Sequence, residues 1–115
     1  MIGAGYVGLP TAATLASFGH TVVLAERDGS RLASLRAGRM PIVEVGLDDL
    51  VAESVAAGRL SFTDSAVEAV QGAEFVFLCV ATPQGSDGSA DLSFVEAAAK
   101  EIGSHLKSGA IVVNK

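Results

Sequence analysis

Met1-Ile2-Gly3-Ala4-Gly5-Tyr6-Val7-Gly8-Leu9-Pro10 opens the chain and sets three glycines at a Gly-x-Gly-x-x-Gly spacing. In Gly3-x-Gly5-x-x-Gly8 each glycine has its own physical role, in turn a tight turn, a close approach of backbone to a pyrophosphate, and close packing of the following helix on a sheet. From Tyr6 to Phe18 the apolar residues Val7, Leu9, Ala12, Ala13, Leu15 and Ala16 cluster at helical spacings, so this span reads as the first helix. Pro10 is tolerated near its first turn, and Gly19 marks its end. The start of such a helix carries free N–H groups and the positive end of a dipole, both suited to an anionic phosphate pair. Glycine triplets also arise by chance, so the flanking sequence has to carry the reading.

Downstream, Thr21 to Ala25 is a β-branched and apolar run that reads as a strand, and Glu26 falls at its end, 18 residues after Gly8. A carboxylate there can accept hydrogen bonds from both hydroxyls of a ribose. The same charge would repel a 2′-phosphate, which favours NAD over NADP, although Arg27 beside it could partly compensate.

The remaining elements alternate. A helix is expected from Ser30 to Ala37, an irregular stretch from Met40 to Leu47, and a helix capped by Asp48 or Asp49 that runs to Ala57. Leu60 to Thr63 makes a short strand, and capping boxes at Ser65/Glu68 and Ser93/Glu96 start two further helices. Phe75 to Ala81 is an almost continuous apolar run, expected to be a strand covered on both faces, and Ala110 to Val113 repeats that character. Strands alternating with helices through short polar connections give an α/β fold of the Rossmann type, a doubly wound parallel sheet. Only Met1 and Ile2 precede the glycines, so the first, central strand is expected to be truncated. About four missing buried side chains would remove roughly 6–12 kcal/mol. The chain is therefore expected to be incomplete at both ends.

Composition narrows the function. At 115 residues there is room for one core and no second, substrate-binding domain. A net charge of −5 without a dense Lys/Arg run argues against nucleic acid. No apolar stretch approaches the roughly 20 residues that span a bilayer, and no signal-peptide pattern opens the chain, so no membrane partner and a cytoplasmic location are expected. The single cysteine agrees with a reducing compartment.

Other reactive residue types read as structure. Cys79 sits in an apolar strand, where a thiol behaves as a small hydrophobe. His20 and His105 follow helix ends and can interact with exposed carbonyls, and neither has a partner at metal-ligand spacing, so no metal is expected. Asp87 and Asp91 lie in a glycine-serine loop typical of solvated turns. Glu44 stands in an apolar segment, where it either functions or faces water.

Five ordered blocks extend beyond the glycines: Gly3-Ala-Gly-Tyr-Val-Gly-Leu9, Pro41-Ile-Val-Glu-Val-Gly-Leu47, Ala81-Thr-Pro83, Asp87-Gly88 with Asp91-Leu-Ser93, and Val112-Val-Asn-Lys115. Together they resemble the N-terminal, NAD-binding domain of the UDP-glucose dehydrogenase family over essentially the whole chain. The resemblance implies an enzyme that oxidises the C6 alcohol of UDP-glucose to a carboxylate in two hydride transfers with two NAD and a cysteine thioester. It implies that Tyr6 and Val7 lie against the pyrophosphate. Glu26 would hold the adenosine ribose with Arg31 near it, and Thr82, with Pro83, would approach the nicotinamide half. The UDP-sugar would be held by domains absent from this sequence, in a homo-oligomer. None of the family's catalytic cysteine, lysine, asparagine or glutamate positions is present, so this segment alone is expected to be inactive. Val43 replaces an aromatic residue, Val45 a proline and Ala81 a glycine of many members. The related UDP-N-acetylmannosamine and GDP-mannose dehydrogenases remain alternatives. A rival of another class is a non-catalytic dinucleotide-sensing module, against which the Pro41–Leu47 and Thr82–Ser93 segments speak.

Overall fold

The computed structural model describes residues 1–115, with helices α1 Gly8–Ser17, α2 Gly29–Arg36, α3 Leu47–Ala56, α4 Ala66–Val70 and α5 Ser93–Gly103. The strands are β1 Val22–Ala25, β2 Leu60–Thr63, β3 Phe75–Leu78 and β4 Ile111–Asn114. β1 pairs with β2 and β3 with β4, both in parallel. Ile2 bridges the two pairs, in parallel with Ala25 on one side and Leu78 on the other. Counting this segment as the first strand, the order across is 3-2-1-4-5, that of a doubly wound Rossmann-like sheet.

The central position is held by very little chain. Ile2 donates to the Phe77 carbonyl (2.8 Å) and accepts from Cys79 N–H (2.8 Å), while the Met1 carbonyl accepts from Ala25 N–H (2.9 Å). The Met1 amine donates to the Val23 carbonyl at 2.9 Å, and its burial pulls its pKa below the ordinary 8.0 because desolvation disfavours the cation.

Strand alternation sorts the core into two faces. Val22 and Leu24 of β1 join Leu9, Ala12, Ala13 and Ala16 of α1 and Val51 of α3 on one side. Val76 and Leu78 of β3 join Ala66, Ala69 and Val70 of α4 and Ala98 and Ile102 of α5 on the other. The alanine face of α1 lets that helix lie close to the strands, which sets its N-terminus directly over the sheet's edge.

Three expectations are corrected. α3 begins at Leu47 behind Gly46, which takes the left-handed conformation (φ 80°); Asp48 and Asp49 therefore lie in the first turn as dipole partners, not as caps. Ser93 is the first residue of α5 and caps nothing; its own N–H donates to Asp91 Oδ1 at 2.9 Å. Within residues 1–115 β4 is not covered on both faces: Ile111 and Val112 are 52% and 44% exposed, and β3 is its one strand partner. Ser65 does cap α4, accepting from Glu68 N–H at 3.1 Å, but the Glu68 carboxylate takes the Thr63 hydroxyl and leaves the box half closed.

Candidate functional site

All four strands end at the rim of one cleft of about 910 Å³, lined by residues that follow their C-terminal ends. Open parallel sheets bind ligands at this edge, where the chain crosses away from the first strand in both directions.

The three glycines behave differently in the folded chain. Gly3 has φ 98°, a conformation costly for any residue with a side chain, and an added Cβ would meet the Cys79 carbonyl oxygen at 2.6 Å. A Cβ on Gly8 would drive into the Gly3 carbonyl, so Gly8 brings α1 down onto the loop. Gly5 has nothing within 4 Å of its Cβ position. It lines the cleft, and the space its missing side chain leaves is open to a ligand.

The Gly5 carbonyl accepts the first helical bond, from Leu9 N–H at 3.1 Å. The N–H groups of Gly5, Tyr6, Val7 and Gly8 donate to no protein acceptor, and α1 has no side-chain cap. Four orphan donors thus meet the positive end of the helix dipole at the cleft wall. Tyr6 and Val7 line the cleft and are 80% and 44% exposed.

Glu26 leaves the end of β1 and is 6% exposed. One carboxylate oxygen accepts Asp28 N–H at 2.8 Å; the other accepts Ala4 N–H at 3.2 Å and Arg31 Nη1 at 3.1 Å. The side chain therefore ties the glycine loop to the start of α2, and with roughly four acceptor directions on a carboxylate about one stays free. Arg31 lies in the cleft wall as that ion-pair partner. Asp28 caps α2, and hydrogen bonds from Ser30 and then from Arg31 N–H hold its pKa below the usual 3.8.

Thr82 lines the cleft beyond β3. Pro83 is not in its wall; its carbonyl accepts Asp91 N–H at 2.8 Å and closes the neck of the following loop. Cys79 is 8% exposed, its Sγ 3.4 Å from Met1 Sδ, and burial raises its thiol pKa, as suits a packing residue. His105 Nδ1 lies 3.3 Å from the Glu101 carbonyl at the end of α5. Glu44 makes no side-chain hydrogen bond and is exposed. No three His, Cys, Asp or Glu side chains gather as metal ligands, and no helix is long and apolar enough to cross a membrane.

Sequence reasoning missed several residues of the cleft. Asp64 and Lys115 each stand one residue beyond a strand, a position that could have drawn notice. Lys115 Nζ donates to Thr11 Oγ1 at 3.1 Å, whose hydroxyl in turn donates to the Val7 carbonyl at 2.6 Å. Phe94, Ala98 and Glu101 share one face of α5 and form the opposite wall, which no local pattern announces.

The whole chain, residues 1–115, matches the sequence profile described as UDP-glucose/GDP-mannose dehydrogenase family, NAD binding domain. It is 52% identical over 115 residues to a UDP-glucose 6-dehydrogenase of Pseudomonas aeruginosa, covering 100% of this chain and 25% of that protein. Identity to a GDP-mannose 6-dehydrogenase of Azotobacter vinelandii is 38% over 107 residues, covering 93% of this chain and 24% of that one. The structure of a UDP-glucose dehydrogenase from the archaeon Pyrobaculum islandicum superposes with a TM-score of 0.92 at 43% identity, over 99% of this chain and 27% of the other. This chain spans about a quarter of the length of these relatives.

Proposed function

Since the chain belongs to the UDP-glucose/GDP-mannose dehydrogenase family and is its NAD-binding domain, we propose that it serves as the cofactor half of an enzyme that oxidises UDP-glucose to UDP-glucuronate with two NAD. The observation that carries the choice of sugar is the 52% identity, over the entire chain, to a UDP-glucose 6-dehydrogenase, against 38% to a GDP-mannose 6-dehydrogenase.

The residues fit the cofactor. The open space at Gly5 and the four unpaired N–H groups from Gly5 to Gly8 suit a pyrophosphate, held by hydrogen bonds and the α1 dipole. Glu26 offers the adenosine ribose its free acceptor direction, and a second hydroxyl takes the place of the Arg31 N–H, freeing that guanidinium for the neighbouring phosphate. Tyr6 and Val7 flank the pyrophosphate, and Thr82 stands on the nicotinamide side, with Pro83 fixing the turn behind it. Bound NAD supplies the hydride acceptor. This chain carries none of the family's catalytic positions, so its own work is to bind and orient; the sugar, the thioester cysteine and subunit contacts belong to segments outside residues 1–115.

Calorimetry of NAD and NADP against this chain, with Glu26→Ala as control, tests the cofactor half: NAD binds in preference and the variant loses it. NADH formation by the protein that contains the chain, offered UDP-glucose, GDP-mannose and UDP-N-acetylmannosamine in turn, tests the sugar. Two NADH per UDP-glucose are expected, and faster turnover of either other sugar overturns the assignment.

A further inference from the structure

One end of the cleft is bounded by residues that the cofactor reading above does not use. Ala66 at the start of α4 and Ala98 on α5 both line its wall, 8% and 6% exposed. Only the edge of each methyl group shows, so together they make a small apolar patch on the cleft wall. Arg27 follows Glu26 directly at the end of β1, and Glu101 stands on α5 one turn beyond Ala98, on the other side of the cleft. Their side chains meet across it, Arg27 Nη2 to Glu101 Oε2 at 2.5 Å, joining residues 74 apart in sequence.

The other cations of the cleft are committed elsewhere. Arg31 pairs with Glu26 on its own wall, and Lys115 bonds Thr11 in the first turn of α1. Arg27 alone among them is held from the opposite wall. With side-chain exposures of 76% and 37%, the pair is solvated and separates at little cost.

We propose, on the basis of the NAD-binding reading above, that Arg27 and Glu101 form a latch over the adenine end of the cleft. It parts to admit the base, which settles on Ala66 and Ala98, and Arg27 then stacks its guanidinium on the exposed purine face. A guanidinium is planar and weakly hydrated and is attracted to aromatic faces, while the Glu101 carboxylate can accept from the exocyclic amine of adenine. The ribose at Glu26 puts the base next to the residue that follows Glu26, which is Arg27.

The test is stopped-flow and calorimetric binding of NAD, ADP-ribose and nicotinamide mononucleotide to the full chain and to Arg27→Ala, Arg27→Lys and Glu101→Gln. Arg27→Ala is expected to release NAD and ADP-ribose about tenfold faster. Its association rate and its melting temperature stay close to those of the parent, and nicotinamide mononucleotide, which lacks the adenosine, is unaffected. Arg27→Lys keeps the charge but lacks the planar face and recovers only part of the loss. Glu101→Gln removes the carboxylate while keeping an acceptor oxygen, so release accelerates less than in Arg27→Ala. Equal release of ADP-ribose by the parent and Arg27→Ala overturns the latch while leaving the cofactor reading intact. Failure of the parent chain to bind NAD and ADP-ribose overturns both.

Discussion

Replacing Gly8 and Gly5 by alanine, one at a time, separates folding from binding within one motif. At Gly8 the new Cβ would sit 2.9 Å from the Gly3 carbonyl carbon and closer still to its oxygen, inside the 3.0 Å that real Cβ contacts essentially never breach. Gly3 has little room to yield, because its N–H is bonded to the Ala25 carbonyl at 2.9 Å and its own Cβ direction faces the Cys79 carbonyl. Either α1 lifts from the loop, loosening Leu9, Ala12, Ala13 and Ala16 from the core, or the loop leaves the sheet. Overpacking of this kind costs about 3 kcal/mol, of which the better helix propensity of alanine returns less than about 1. For a domain of this size that lowers the melting temperature by roughly 10 °C. At Gly5 nothing lies within reach of the Cβ, so stability stays within about 0.5 kcal/mol of the parent, yet NAD affinity falls by at least about tenfold because the methyl stands where the pyrophosphate must approach. Thermal melting and NAD calorimetry on both variants give the answer. A Gly8→Ala protein that melts within about 2 °C of the parent, or a Gly5→Ala protein that binds NAD as the parent does, refutes the division of labour.

Glu26→Ala leaves the buried Ala4 N–H and the Asp28 N–H without their acceptor and should cost about 2–4 kcal/mol in urea unfolding as well as NAD binding; unchanged stability would show that the carboxylate does not tie the loop to α2. Cys79, with its thiol pKa raised by burial, should react with an aromatic disulfide at about pH 8 at least about tenfold more slowly than a free thiol, and at the free-thiol rate once urea unfolds the chain. Asp28, Asp87 and Asp91 all have pKa values lowered below 3.8, chiefly by serine hydrogen bonds. A lowered folded pKa stabilises the protein above the unfolded value and ceases to do so as pH falls through the folded one, so melting temperature should drop below pH 3.8, and less steeply in Asp28→Asn.

Much of this protein was legible in the chain because its signals are local. Apolar periods and helix-start signals located every helix and strand to within a few residues, and the glycine spacing marked the tight turn that opens α1, since these features depend on neighbours a turn or a strand apart. One expectation failed on a local competitor: Ser93 follows the capping rule, but its N–H goes to Asp91, two residues before it. Others failed where a distant partner decides. Ala110 to Val113 reads like a core strand, yet within residues 1–115 it has a strand on one side only and Ile111 and Val112 are exposed, and which strands flank it is a property of strand order. Likewise Glu26 was visible as an acid at the end of a strand, whereas its hold on Ala4 and Arg31 required the loop and α2 to converge. Sequence by itself determined the Rossmann-like class, the glycine turn ahead of the first helix and the family. Tertiary structure alone brought α5 and the residues after β2 and β4 to the cleft, because a cleft wall is made by segments tens of residues apart that no periodicity links.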